Sequence, residues 1–239
     1  MSDALIPSCD RKVRFWKNQK NTFGLLPGKE GSCPHCTTTP GGCYYVAPGR
    51  KLQDCYAVVV MHAYKGVRRV LEHNTNLLKK ASMQEMRRLL ATEFSRFAHA
   101  EYAHADRTGE PTKMYYRLHW SGDIFSAQYA KALANTMNEF PSITFRNYTR
   151  SFGVVKYFAG LENYIQFLSL DAANVYKGLE AYEKYKGIVP LRLCYMGDEN
   201  VLNYMPCPVD LGKLSLDGGC AYCRSCFSHS DSNIFFKTK

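Results

Sequence analysis

Ten cysteines in a chain of 239 residues set the chemistry to be explained. Four of them, Cys207, Cys220, Cys223 and Cys226, follow the spacing C-x12-C-x2-C-x2-C, so two CxxC units share Cys223. Structural zinc sites usually take their ligands as separate pairs, each holding two corners of a tetrahedron. Three thiolates at two-residue intervals, with a fourth from a distance, match iron–sulfur ligation more closely. A metal is the expected occupant, with iron–sulfur ahead of zinc. Gly218 and Gly219 let the backbone turn closely beside these ligands.

A second set, Cys33, Cys36, Cys43 and Cys55, is spaced C-x2-C-x6-C-x11-C in a loop rich in glycine and proline. Four ligands close a cluster and make it structural or electron-transferring. Three leave one iron open to a substrate or cofactor. His35 lies inside this loop, as a further ligand or a donor to one. Cys9 and Cys194 have no neighbour at ligand spacing, and Cys194 sits in an apolar run as a small hydrophobe. The first ten residues hold no long apolar stretch and are followed by Arg11, Lys12 and Arg14, unlike a signal peptide. The longest apolar stretch, 57–61, is too short to cross a bilayer. A cytoplasmic chain is therefore expected, with no membrane contact, where cysteines bind metal more often than they form disulfides.

The elements that must position these groups follow a βα rhythm. A short strand at 22–26 leads into the cysteine loop. Residues 56–105 contain no proline and one glycine, and read as one or two long helices. Strands are expected at 113–120, 142–148, 164–170 and 189–195. The helices between them fall at 127–140, 154–161 and 175–185. Five or six such units give an α/β fold with a parallel sheet, short of a complete eight-unit barrel at about 250 residues. A partial barrel and an open doubly wound sheet are both compatible with this count, over 1–205 with the cysteine loop at 33–55, followed by a C-terminal cysteine segment over 206–239.

Ligands of parallel α/β folds sit at the carboxyl ends of the strands. Polar residues stand at each of these positions here: Ser121, Gly122 and Asp123; Tyr148, Thr149, Arg150 and Ser151; Ser169 and Asp171, with Asn174; and Asp198, Glu199 and Asn200. His119 precedes the first group. Four polar strand ends in succession point to a pocket.

The net charge is +10, and residues 1–110 hold 17 basic and 10 acidic side chains, which is +7 of it. Arg68, Arg69, Lys79, Lys80, Arg87, Arg88 and Arg96 fall on the long helical segment. A basic helix face suits a nucleotide or nucleic acid, and a zinc-binding, non-catalytic nucleic-acid-binding protein is the alternative reading. Phosphate-loop, dinucleotide-binding, H-E-x-x-H and G-x-S-x-G motifs are absent. Nucleotide-driven motors, hydride transfer on a Rossmann site and zinc proteolysis are disfavoured.

These residues carry a resemblance. Cys33-Pro34 with Cys55-Tyr56-Ala57, His119 through Phe125 with Tyr129, Tyr148 through Ser151, and Cys207-Pro208-Val209 with the cysteine-rich end resemble the phage gene product 88 family. That family is similar in turn to radical S-adenosylmethionine enzymes, which use a partial (βα)6 barrel. Such enzymes hold a [4Fe–4S] cluster on three cysteines after the first strand. The resemblance implies one or two [4Fe–4S] clusters, the catalytic one on Cys33, Cys43 and Cys55 with Cys36 spare or fourth. It further implies that Asp123, beside Ser121 and Gly122, binds the cofactor amine, Arg150 its carboxylate, and Ser169 or Asp171 its ribose. The usual C-x3-C-x2-C spacing is absent from the loop. An electron-donor protein, a nucleotide or nucleic-acid substrate and the host cytoplasm complete the expectation.

Overall fold

The computed structural model describes residues 3–36, 55–228 and 232–237. Two short strands, β1 (Pro7–Ser8) and β2 (Thr22–Phe23), come first. The proline-free stretch breaks into three helices: α1 (Tyr56–Ala63), α2 (Lys65–Lys80) and α3 (Met83–Thr108). Ser82 starts α3 by accepting the Glu85 amide, and Gly109, at φ 73°, ends it. Then follow β3 (Tyr115–His119), α4 (Ala127–Asn138), β4 (Thr144–Thr149), a 3-10 helix (Phe152–Phe158), β5 (Tyr164–Leu170), α5 (Val175–Tyr185) and β6 (Leu191–Gly197). The chain closes with β7 (Met205–Pro206), the short α6 (Gly219–Cys223) and β8 (Ile234–Lys237).

The strands form one eight-stranded sheet in the order β1-β2-β3-β4-β5-β6-β8-β7. Only β1 runs antiparallel to its neighbour. The parallel βα units expected from the sequence are present. The sheet ends in two edges, β1 and β7, and the described strands make no pair that closes it into a barrel. Residues 206–239, read from the sequence as an extension, contribute β8 to the interior of this sheet.

Strand order places the layers. Strands β2 to β6 lie in chain order, so right-handed crossovers put their connections on one face. The main core forms there: Tyr116, Leu118, Phe145, Tyr164, Leu168, Leu170 and Leu193 pack against Leu90, Phe94 and Phe97 of α3 and Leu133 and Met137 of α4. The order reverses at β7 and β8. The same handedness then sends the β7–β8 connection, which carries the C-terminal cysteines, to the opposite face. There Ile165, Phe167, Cys194 and Ile234 form a second core with Met205, Cys207, Cys226, Tyr148 and Phe236.

Candidate metal centre

The backbone ladder fixes Cys207. Its amide donates to the Phe235 carbonyl at 2.9 Å, just past the end of β7. Cys220 and Cys223 lie on α6, which Arg224 terminates in the left-handed conformation at φ 56°. Gly219 lets α6 pack closely, since a Cβ there would sit 2.8 Å from Val209 Cγ2. The N-terminal segment straps this lobe. The Gly218 and Cys220 amides donate to the Arg11 and Lys12 carbonyls, each at 2.8 Å, and Arg14 Nε donates to Asp217 Oδ1 at 2.6 Å.

All four C-terminal cysteines line one cavity of about 20 Å³, together with Met205, Val209 and Ile234. Burial pushes the Cys220 thiol up to about 11 and raises Cys207 as well. As neutral thiols they pack as small apolar groups. Among the described residues, no three His, Cys, Asp or Glu side chains are already arranged to hold an ion. The spacing is met by proximity, then, but not by ready-made coordination. Ligating sulfurs must shed their protons as a metal arrives.

A buried charge packs on the end of the cysteine segment. Arg146 of β4 is 2% exposed. Its guanidinium lies 4.2 Å from the Phe227 ring centroid and 5.4 Å from that of Tyr148. Its Nε and Nη1 are buried with no hydrogen-bond partner. Burial works against its charge, while Tyr148 first, then Cys226 and Cys220, favour it, so its proton is held more firmly than usual. The neighbouring carboxylate, Asp10, is engaged by Arg117 Nη1 at 2.6 Å. Arg192 Nη1 donates to the Ser225 carbonyl at 2.6 Å, pinning the chain next to Cys226. Four thiols beside an unspent buried cation fit a tetrathiolate metal centre of net negative charge.

The N-terminal cysteine loop is fastened at the carboxyl end of β3. Ser32 Oγ accepts the Asp123 amide at 3.2 Å and donates to the Leu26 carbonyl at 2.9 Å. Gly122, at φ +88°, permits this approach, because a Cβ there would overlap Ser32 Oγ and Leu25 Cβ. At the loop's far end Tyr56, the residue after Cys55, donates its hydroxyl to the Trp120 carbonyl. Cys33, Cys36 and Cys55 are buried and His35 is exposed. Cys43 lies outside the described residues.

The strand-end residues come together as a buried network. Asp123 Oδ1 accepts the Ile124 amide at 2.7 Å and the Thr149 hydroxyl at 2.5 Å. Its Oδ2 accepts the Arg150 amide at 2.9 Å and the Ser151 hydroxyl at 3.3 Å. Burial pushes the Asp123 carboxyl up, and these donors pull it back. Arg150 Nη1 donates to Asp171 Oδ2 at 2.7 Å, and Ser169 Oγ lies 3.3 Å from Cys194 Sγ. Ser121 Oγ donates to the Leu25 carbonyl. His119 is buried against Phe23, with Nε2 2.8 Å from the Tyr129 hydroxyl. Burial lowers its pKa to about 3, so it is neutral. After β6, Asn200 closes a turn onto Tyr204, apart from this network.

Four of the seven basic side chains singled out on these helices are paired with carboxylates. Arg68 pairs with Glu72, Arg87 with Glu139, Arg88 with Glu85 and Arg96 with Glu93. No helix of the described residues is long and apolar enough to cross a membrane. Sequence reading missed Arg146, Arg117 and Asp10. The available signal was arginine in the middle of strands that otherwise read as apolar and aromatic.

Comparisons with known proteins agree in one direction. A family model described as Gene product 88 matches residues 8–228. The Gene 88 protein of Mycobacterium phage D29 is 28% identical over 232 residues, covering 92% of this chain and 88% of its own length. That of Mycobacterium phage L5 is 28% identical over 231 residues, covering 92% and 87%. No solved structure gives a match. The chain belongs to the gene product 88 family.

Proposed function

For this member of the gene product 88 family we propose an iron–sulfur enzyme of the radical S-adenosylmethionine type. Cys207, Cys220, Cys223 and Cys226 would hold one cluster, and Cys33, Cys43 and Cys55 the catalytic one, with Cys36 spare or fourth. The observation that carries this reading is the convergence of the four C-terminal thiols on one cavity beside the unspent guanidinium of Arg146. Support for the second site comes from Ser32 and Tyr56, which tie both ends of the N-terminal loop to the turn after β3. In parallel α/β proteins that turn is ligand territory.

When bound, a low-potential cluster supplies single electrons, the requirement for reductive cleavage of a carbon–sulfur bond. The chain's own residues define how a cofactor would be received. Asp123 can meet an ammonium group only by releasing Thr149 or Ser151, and Arg150 would meet a carboxylate while its Nη1 holds Asp171. Binding thus exchanges one buried set of hydrogen bonds for another. Ser169 stands beside Asp171 for a ribose. An electron-donor protein would be the partner. A nucleotide remains the proposed substrate class, although the paired arginines of α2 and α3 weaken the case for a broad nucleic-acid surface.

Zinc at the C-terminal site is the second reading, with one observation in its favour. The cavity that the four cysteines line is small, about 20 Å³, which suits a single ion better than a cubane. The test is anaerobic purification with iron, sulfide and zinc analysis, and spectra before and after S-adenosylmethionine. About four to eight irons per chain and a spectral change with the cofactor support the enzyme. Zinc alone at one ion per chain replaces it with the second reading.

A further inference from the structure

We propose that Arg146 is the counter-charge of the four-cysteine centre, donating from Nε and Nη1 to cysteine sulfur and holding a net negative tetrathiolate inside the second face of the sheet. The inference rests on the reading of Cys207, Cys220, Cys223 and Cys226 as ligands, and applies to iron–sulfur and zinc alike.

The argument begins with a deficit. A guanidinium keeps its proton in any protein environment, and a buried charge without a partner is strongly unfavourable. Arg146 is nonetheless buried, with two of its nitrogens unbonded. Its aromatic neighbours do not fill that need. Phe227 and Tyr148 attract the cation through their ring faces, whereas N–H donors need an acceptor at the guanidinium edge. Asp10 is the carboxylate within electrostatic reach, and it already accepts from Arg117 and from the Lys12 amide.

Besides Tyr148, what packs on Arg146 is the cysteine segment: Phe227, 4.2 Å from the guanidinium, follows Cys226, which lines the cavity with Cys220. Four thiolates around a divalent zinc ion, or around a cubane core of charge two plus, sum to two negative charges. Such a centre supplies the anion that Arg146 lacks, while Arg146 supplies charge and N–H···S bonds that a buried dianion needs. The planar fork matters, since lysine brings charge without two donors in fixed geometry.

The test compares the wild-type chain with Arg146→Met, Arg146→Lys and a control, Cys9→Ser, outside the cavity. Each is prepared metal-free and metal-loaded, with zinc or with iron and sulfide under anaerobic conditions. Metal per chain, the rate of release to a chelator, and melting temperature are read for both forms. The expected result is opposite signs. Metal-free Arg146→Met melts at or above the wild-type temperature, because an unpartnered buried charge is gone. Loaded Arg146→Met releases metal at least tenfold faster, with Arg146→Lys between the two. If the loaded form holds iron, its midpoint potential falls by about 59 mV for each tenfold preference for the reduced state that Arg146 provides.

A role in packing alone gives the opposite pattern: both forms of Arg146→Met lose stability and metal release is unchanged, which overturns the proposal. Should Arg146→Met fail to fold, unchanged metal release in Arg146→Lys overturns it in the same way. If wild type binds neither iron nor zinc, the ligand reading itself falls and takes this inference with it. If wild type and every Arg146 variant retain metal equally, only the role of Arg146 falls.

Discussion

The guanidinium of Arg146 lies 4.2 Å from the ring centroid of Phe227, the residue that follows Cys226. One residue of β4 and one at the end of the cysteine segment thus share a cation–π contact. The contact docks the cysteine-bearing crossover onto the sheet at a defined position, and brings a fixed positive charge beside it. Four experiments follow from the arrangement around this contact.

Cysteine replacement separates ligands from bystanders. Cys220→Ser or Cys223→Ser should reduce metal bound at the C-terminal site to less than half of wild type, since losing one of four thiolates opens the shell. Cys194→Ser should leave metal content unchanged, because Cys194 packs with Ile165, Phe167 and Ile234. Metal analysis of the purified variants reads both. Equal loss in all three would mean that the effect is on folding.

Asp123 is expected to matter for stability before it matters for any cofactor. Its carboxylate accepts from two amides and two hydroxyls. Asp123→Ala leaves these donors without an acceptor and should cost at least about 3 kcal/mol. Asp123→Asn keeps one acceptor oxygen and should cost about half of that. Urea titration measures both. Calorimetric titration of Asp123→Asn with S-adenosylmethionine then isolates the binding role, and wild-type affinity in that variant would remove Asp123 from the cofactor site.

The pair between Asp10 and Arg117 joins the N-terminal strap to β3. The Asp10 side chain is 9% exposed and that of Arg117 18%. Burial works to raise the Asp10 pKa. Arg117 and Arg146 outweigh it, so the net pKa is lowered. Asp10→Asn should therefore destabilise the fold by about 3 kcal/mol, the usual cost of leaving one member of a buried pair alone. A loss below about 1 kcal/mol in urea unfolding would show the pair to be effectively solvated.

His119 predicts the direction of the acid response. Its pKa is held down to about 3 in the fold, against an ordinary value of 6.5. Between these values the unfolded chain binds the extra proton, so stability rises with pH across this window and is lost as the solution is acidified below about 6.5. Near pH 4.5 the loss amounts to about 3 kcal/mol by linkage. Asp123 and Glu93, both raised by burial, act in the opposite sense in the carboxylate range. The histidine slope is therefore cleanest from pH 5 to 6.5. Melting temperatures of wild type and His119→Gln over that range should diverge, with the variant nearly flat.

Much of the scaffold was legible because local pattern decides it. Apolar runs of strand length alternate with helical stripes from Tyr115 to Gly197, and βα units follow from that rhythm. The cysteine spacings were equally plain. What local pattern could not convey was pairing across the chain. Strand β8 has four residues and β7 two, too short to stand out as periodic segments. Their place in the sheet depends on Met205 and Cys194 both matching Ile234. The strand-end carboxylates were found, but their partners were not. Thr149 and Ser151 spend Asp123 inside the protein, a fact about distance that residue types do not encode.

By itself the sequence determined the parallel α/β class, two cysteine groups and the polar strand ends, because periodicity and ligand spacing are properties of adjacent residues. Tertiary structure alone decided which face each group occupies. Reversal of strand order at β7 and β8 carries the C-terminal cysteines to the side away from α3 and α4. That face is where Arg146, buried in mid-strand, waits without a carboxylate of its own. Charge compensation in a dry interior depends on which groups end up within a few ångströms of each other. Arg146 and Phe227 are 81 positions apart in the chain, and only the folded sheet brings them to 4.2 Å.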